Sequence, residues 1–289
     1  MEVNKLADND RASTIMEMNQ VSYAYPGTDK SALNGLELRI PANKKVALCG
    51  HNGSGKSTLF LQLIGINRPQ SGFVSWRGEP LSYKPRELAS LRRRVGLVFQ
   101  DPEHQLILNT AYEDISYGLR NAGLQEEEID RRTARIVQQL NLQELAHKPL
   151  HHLSLGQKKR VALAGVLALE PELVLLDEPA AYLDPISEQR LMAELDRIHA
   201  SGITPVMATH DMNMAYAWAD WIFIMNEGRC ILEGTPESVF REGERLRSLG
   251  LTLPMVLEAW EALPPELRGE QQAPRTLAQF KAAVKSFIV

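Results

Sequence analysis

The chain has 289 residues, a net charge of −4, 44% hydrophobic and 24% charged residues, which is ordinary for a globular protein. The acidic balance implies no polyanion-binding surface, so nucleic acid is not an expected partner. The run Arg92-Arg93-Arg94 reads as a solvated helix end. The two cysteines, Cys49 and Cys230, lie in apolar, strand-like stretches and suggest no disulfide framework; a reducing compartment is the natural reading. The longest apolar run, Val161 to Leu169, is about half of what a bilayer span needs. A protein that is soluble, or held at a membrane by a partner, is therefore expected.

Residues 1–14 are polar, lack the apolar core of a signal peptide and read as a flexible leader. Strands are predicted at Met16–Tyr25, Leu36–Ile40 and Lys45–Cys49, the first of these forming an antiparallel cluster. The third runs into a glycine-rich turn and a helical pattern, Ser57–Ile64. Further strands are predicted at Gly72–Trp76, Val95–Phe99, Leu173–Leu176, Thr204–Met207, Trp221–Met225 and Arg229–Glu233. Helical periodicity marks Glu126–Leu140, through Ile129, Ile136 and Leu140, and Ile186–Ala200, through Leu191, Leu195 and Ile198. Alternating strands and helices predict an α/β fold with a mainly parallel sheet. A helix-rich stretch at about 83–168 interrupts it. After Gly234 come Pro236, Pro254, Pro264, Pro265 and Pro274 and short helical patterns at Pro254–Ala262 and Leu277–Phe287, so 241–289 reads as a C-terminal helical appendage.

Gly50-His51-Asn52-Gly53-Ser54-Gly55-Lys56-Ser57 fits the phosphate-loop pattern, with a strand before it and a helix after it. Backbone N–H groups and the helix N-terminus converge on phosphate oxygens, and glycines allow the close approach. Lys56 supplies a cation to the β and γ phosphates, Ser57 a hydroxyl to Mg²⁺. Thr58, next in the chain, belongs to the same expected nucleotide contact set. Leu173–Leu176 is followed by Asp177 and Glu178, carboxylates expected at the ligand-binding edge of a buried parallel strand. There Asp177 orients Mg²⁺, and Glu178 polarises the attacking water.

Leu153-Ser154-Leu155-Gly156-Gln157, followed by Lys158, Lys159 and Arg160, resembles the signature sequence of ATP-binding cassette (ABC) proteins and precedes the acidic strand, as in that family. In the family's order, Gln100 resembles the Q-loop glutamine, Ala181-Tyr182-Leu183-Asp184 the D-loop, His210 the switch histidine, and Tyr25 the aromatic that stacks on adenine. Taken singly, Gln100 is an ordinary surface glutamine, His210 a strand-end histidine and Tyr25 a half-buried aromatic; the ordered set carries the reading. The resemblance covers about 15–240. It implies a P-loop fold of ABC type with a parallel core, an antiparallel β subdomain and a helical subdomain, and an ATPase that acts with Mg²⁺ as a head-to-tail dimer. Ser154, Gly156 and Gln157 then meet ATP held by the other subunit. Two departures stand out: Leu155 replaces the usual glycine, its side chain expected to point away from ATP, and Tyr182 replaces a small residue.

The segment Val98 to Leu106, containing Phe99-Gln100-Asp101-Pro102-Glu103-His104-Gln105, and the following Asp114–Asn121 resemble energy-coupling-factor (ECF) importers. Leu153–Leu167 is close to their cobalt and nickel members. That implies a homodimer, or a heterodimer with a second ABC ATPase, peripheral to the cytoplasmic face of the cell membrane. It would sit beneath a transmembrane coupling subunit and a substrate-binding membrane subunit, with the appendage as a dimerisation element. Alternatives are the ATPase of an ECF vitamin importer, a soluble ABC protein of translation or DNA repair, and a non-hydrolysing regulatory cassette. A single phosphate loop and the absence of a sustained heptad between Lys56 and Leu153 weigh against the soluble class. Glu178 and His210 weigh against the regulatory one. His147, His151 and His152 read as loop residues pointing in different directions, and Met207, Met212, Met214 and Met225 as packing.

Overall fold

The computed structural model describes residues 14–268 and 271–285. The leader expected at 1–14 lies outside them apart from Thr14, as do the residues beyond 285 of the last predicted helix.

Two sheets organise the chain. β1 (Thr14–Ala24), β2 (Ser31–Pro41), β4 (Ser71–Trp76) and β5 (Glu79–Pro80) form an antiparallel sheet in the order β2-β1-β4-β5. β3 (Val46–Cys49), β6 (Val95–Val98), β7 (Leu173–Asp177), β8 (Thr204–Thr209), β9 (Trp221–Asn226) and β10 (Arg229–Gly234) form a six-stranded sheet in the order β10-β9-β3-β8-β7-β6. It is parallel except for the β9–β10 hairpin. Both of its faces are covered, which is why these strands read as continuous apolar runs. Side chains alternate between faces. Val46, Leu48, Leu173, Leu175, Val206, Phe223 and Met225 pack toward the antiparallel sheet and α1 (Lys56–Leu63). Ala47, Cys49, Val174, Leu176, Met207, Ile222 and Ile224 pack toward the remaining helices.

Those helices are α3 (Ala111–Asn121), α4 (Glu126–Gln139), α5 (Leu155–Leu167), α6 (Pro185–Ala200) and α7 (Met212–Trp218). Starts are marked by caps: Thr110 and Glu113 form a reciprocal capping box at α3, and Asp184 and Asp211 accept N–H bonds at α6 and α7. The helix-rich stretch expected at 83–168 divides. α2 (Pro85–Arg94) and β6 belong to the sheet layer, because Leu91, Val95 and Leu97 pack with the antiparallel-sheet face; the helical block proper follows them. Arg92 is not simply a solvated helix end: its guanidinium donates to the carbonyls of Ile64 (3.1 Å) and Gly65 (3.0 Å), closing the end of α1.

The C-terminal residues form α8 (Pro236–Arg241), α9 (Gly243–Ser248), α10 (Met255–Glu261), α11 (Pro265–Arg268) and α12 (Leu277–Lys285). The expected boundary at 240/241 falls within α8, and Val239, Phe240, Leu246, Leu251, Leu253 and Leu257 join the same apolar cluster as the helical block. The appendage is thus packed onto the core. It also grips α7: Met255 N–H donates to Asn213 Oδ1 (2.8 Å), and the Arg275 guanidinium donates to the carbonyls of Tyr216 and Ala219. Among the described residues no helix is long and apolar enough to cross a membrane.

Leu175 in β7 is fully buried, whereas Tyr182 is 85% exposed. Leu175→Ala is expected to lower unfolding free energy by about 2–5 kcal/mol in a denaturant titration, through lost burial and a cavity. Tyr182→Ala is expected to change it by less than about 0.5 kcal/mol.

Candidate functional site

Four parallel strands end at one edge of the six-stranded sheet, where open α/β sheets place their ligands. β3 ends at the phosphate loop, β6 at Phe99-Gln100, β7 at Asp177 and Glu178, and β8 at Thr209 and His210. Packing therefore brings together residues far apart in the chain.

The loop's shape depends on glycine at Gly55, which caps α1 with φ of 105°, a left-handed conformation. A Cβ there would meet the Ala32 carbonyl at 2.6 Å, so the start of β2 lies directly against the loop. Gly228 in the β9–β10 turn holds it from another side, donating to the Ser54 carbonyl (3.0 Å).

Lys56 is 6% exposed and donates to the carbonyls of Gly50 (2.7 Å) and His51 (3.0 Å); its Nζ is 3.9 Å from Glu178 Oε1. Burial lowers its pKa, which the carboxylates of Glu178 and Asp177 oppose. Asp177 is raised above its ordinary value by burial, although a hydrogen bond from Ser57 pulls the other way. Glu178 Oε2 lies 3.0 Å from His210 Nδ1, while Glu178 Oε1 is buried with no hydrogen-bond partner. Lys56, Ser57, Asp177, Glu178 and His210 thus form one cluster. Ser54 Oγ is likewise buried without a partner.

Glu178 has φ of 46°, in the left-handed region, immediately before Pro179. For a residue other than glycine this costs on the order of 1–3 kcal/mol, and such strain persists only where the surroundings impose it. Its N–H donates to the Ala208 carbonyl of β8 (3.1 Å), and Ala181 N–H donates to its carbonyl (3.1 Å), closing the turn.

Tyr25 sits beside the loop, 40% exposed, its ring edge-on to Tyr23 and its hydroxyl sharing a 3.2 Å hydrogen bond with Thr58 Oγ1. Gly50, His51, Asn52 and Gly53 form the exposed curve of the loop, apart from the buried Gly50. His51 Nε2 donates to the Leu249 carbonyl of the appendage (3.0 Å). Gln100 is exposed at the end of β6, a strand that stops at Val98, one residue short of expectation. Gln105 holds that end: its Oε1 accepts from Phe99 N–H (3.1 Å) and its Nε2 donates to the Leu97 carbonyl (3.2 Å). This gives the second glutamine of the segment a role that sequence reading had not found.

Ser154, Gly156, Gln157 and Asp184 lie elsewhere. Ser154 and Gln157 cap α5 reciprocally (Gln157 N–H to Ser154 Oγ, 3.3 Å; Ser154 N–H to Gln157 Oε1, 2.9 Å). Asp184 Oδ1 accepts from Ile186 N–H and Ser187 N–H, and its Oδ2 from Ser187 Oγ (2.6 Å), which holds its carboxyl below the usual range. Gly156 packs on Ser187 and Leu183, so the α5 and α6 starts touch. Among the described residues, no hydrogen bond or ion pair joins these four to the phosphate loop. Leu155 opens α5 half-buried, and Tyr182 has φ of 62°.

The expectation for the histidines needs correcting. His151 and His152 do not diverge; their rings meet edge to face at 4.3 Å in a single 3₁₀ turn, and His147 stacks on Tyr112 at 5.6 Å. Burial pushes the Cys49 thiol up to about 12, as suits a small core residue. Lys159 was not singled out by sequence. It is 4% exposed, and its Nζ donates to the carbonyls of Glu178 (3.3 Å), Pro179 (2.9 Å) and Ala181 (2.8 Å). In sequence it is the middle of three consecutive cations, with nothing to show which one turns inward.

The family model of the ABC transporter matches residues 33–181. The energy-coupling factor transporter ATP-binding protein EcfA of Methanococcus maripaludis is 38% identical over 275 residues, covering 95% of this chain and 98% of its own length. Among solved structures, cbiO1 of Clostridium perfringens, described as part of the ABC transporter complex cbiONQ, is 40% identical with a TM-score of 0.74, covering 86% of this chain and 99% of that one. The cassette MJ0796, in a dimeric post-hydrolysis state bound to ADP and Pi, is 28% identical with a TM-score of 0.69, over 77% of this chain and 99% of that one. The chain belongs to the ABC transporter ATPases, in the energy-coupling factor group.

Proposed function

We propose that this ATP-binding subunit of an ECF-type transporter drives uptake of cobalt or nickel. In this reading it works as a homodimer at the cytoplasmic face of the membrane, beneath a coupling subunit and a substrate-binding subunit. The observation that carries the ATPase chemistry is Glu178, whose buried carboxylate lies between Lys56 and His210. The metal rests on the resemblance of Leu153–Leu167 to cobalt and nickel members and on the likeness to cbiO1. The packed appendage, 241–289, is the proposed dimerisation element, with 15–240 as the nucleotide-binding domain.

The geometry suggests a sequence of residue roles. Adenine stacks on Tyr25, whose ring is steadied by Tyr23 and Thr58. The phosphates enter the curve from Gly50 to Thr58, and the loop N–H groups take up their charge. Lys56 exchanges two carbonyl acceptors for phosphate oxygens, a stronger charge-assisted contact. Ser57 and Asp177, already hydrogen-bonded to each other, fit a hard cation, with Gln100 at the neighbouring strand end. Mg²⁺ held by Ser57 and Asp177 would neutralise the charge of the phosphates. Glu178 accepts a proton as water attacks the γ phosphorus, the bond to the bridging oxygen breaks, and ADP leaves with the electron pair. His210 fixes one Glu178 oxygen, leaving the unpartnered Oε1 for the water.

Ser154, Gly156 and Gln157 stand apart from the loop and face the nucleotide of a second subunit in this arrangement; the dimeric, ADP-bound MJ0796 supports it. Asp184, held as the cap of α6, then acts at that interface. Driving such a dimer from 1:99 to 99:1 closed needs roughly 5.5 kcal/mol of differential binding, about half from each ATP.

Glu178→Gln is expected to keep ATP binding and slow steady-state hydrolysis by roughly 10²–10⁴-fold; normal turnover contradicts the assignment. Because Asp177 is raised above the usual carboxylate value, its ionised form is lost earlier on acidification. The Mg²⁺ dependence of nucleotide binding should therefore weaken as pH falls through the acidic range, and Asp177→Asn should abolish that pH effect in a binding titration. Purifying the transporter through this chain should yield no second ABC ATPase, and cells carrying the set should accumulate cobalt or nickel in an uptake assay. A second ATPase in the complex, with no metal uptake, favours the vitamin importer instead.

A further inference from the structure

The three cations after the signature part company. Lys158 reaches Glu103 at the surface. Arg160 donates to the carbonyls of Leu140 and Asn141 at the end of α4, and its Nε is 3.5 Å from Glu194 Oε1 on α6. Lys159 alone turns into the core. Among the described residues it has no ion-pair partner within 4.0 Å, yet its three N–H donors meet three carbonyls.

Those carbonyls belong to one turn. Glu178, Pro179 and Ala181 direct them to a common point, where their like-oriented dipoles repel. Two backbone positions of the turn, Glu178 and Tyr182, are left-handed without being glycine. The turn's own hydrogen bonds, from Ala181 N–H to the Glu178 carbonyl (3.1 Å) and from Leu183 N–H to the Ala180 carbonyl (3.2 Å), leave the focus of the three carbonyls to the Lys159 ammonium. Lys159 is 4% exposed, and Val161, Ala162 and Leu163 after it on α5 are core residues, so the ammonium is retained against a desolvation cost. That cost is visible in the Lys159 pKa, which burial brings down to about 8.

We infer that Lys159 is a positioning residue for hydrolysis: it holds the Glu178–Ala181 turn so that the Glu178 carboxylate stays between Lys56 and His210. The inference rests on the assignment of Glu178 in the proposed function. It adds a link between sites. Lys159 stands on the helix begun by Ser154, the end that faces the second subunit's nucleotide in that reading. A displacement of α5 caused there is carried by Lys159 to the carboxylate of its own site. α5 is a rigid rod for this purpose, since Lys159 lies little more than one turn from its cap.

The test compares Lys159→Met and Lys159→Gln in the full chain, with Glu178→Gln measured alongside, by hydrolysis rate and by ATP affinity. Lys159→Met fills the space without donors; Lys159→Gln restores two N–H groups. The expected result is a kcat loss of roughly 10–10²-fold in Lys159→Met, the scale of an ångström-sized misplacement, with ATP affinity within about twofold of the parent. Lys159→Gln should recover most of the lost rate. Full turnover in Lys159→Met overturns the inference. So does a parallel fall in kcat and affinity, or a Lys159→Gln variant as slow as Lys159→Met. If Lys159→Met does not fold, Lys159→Gln decides: near-parental kcat supports the role, and a loss of about tenfold or more overturns it. Normal turnover in Glu178→Gln marks the separate failure of the underlying assignment.

Discussion

The rest of the site depends on one constraint: Lys56 at the start of α1 and Glu178 just past β7 are held 3.9 Å apart, 6% and 7% exposed, across the end of β8, which separates β3 from β7 in the sheet. Taking two charges out of water costs several kcal/mol each, and their attraction offsets this only with good geometry and further hydrogen bonds. Here the geometry is incomplete. The separation is long for a direct hydrogen bond, Lys56 is engaged by loop carbonyls, and Glu178 Oε1 has no hydrogen-bond partner. The fold therefore maintains an unsettled pair of charges. In the proposed function, a phosphate group entering between them would give Lys56 a better acceptor, and a water at Oε1 would give Glu178 a donor. In that reading substrate relieves a cost already built into the protein, the usual sense of electrostatic preorganisation.

Maintaining that arrangement requires support from both sides of the sheet. On the antiparallel-sheet side, the start of β2 and the β9–β10 turn fix the phosphate loop, and Arg92 closes the end of α1. On the helical side, α5 and β8 fix the Glu178 turn through Lys159 and the Ala208 carbonyl. The left-handed backbone at Glu178 is the strained point between them. Its strain is tolerated because neighbours on α5 and β8 hold it, which is the circumstance in which such conformations persist at functional sites.

The C-terminal helices bear on the same site. They share the helical-face core and clasp α7, the helix that follows His210, through Met255 and Arg275. Leu249 also meets His51 on the phosphate loop. A segment that reads in sequence as an appended piece is thus bonded to both the glycine-rich loop, at His51, and the helix that follows His210. Its apolar residues, Leu246 and Leu257 among them, join the same helical-face core as Met212, Ala215 and Tyr216 of α7.

Sequence alone determined the local features whose physics is short-range. Apolar runs marked the buried strands because both sheet faces are covered, and glycine spacing marked the phosphate loop because only that backbone approaches phosphate so closely. Ordered motifs then identified the family. Tertiary structure decided what long-range packing controls. It brought Glu178 between Lys56 and His210, and kept Ser154 and Asp184 away from the loop of the same chain. It gave Gln105 the task of holding the Gln100 strand end, and packed α2 with the predicted strand β6 in the sheet layer, apart from the helical block. It also turned Lys159 inward while Lys158 stayed at the surface. Adjacent lysines are alike in sequence, and helical phase with the position of a distant turn selects the one whose three donors find carbonyl partners.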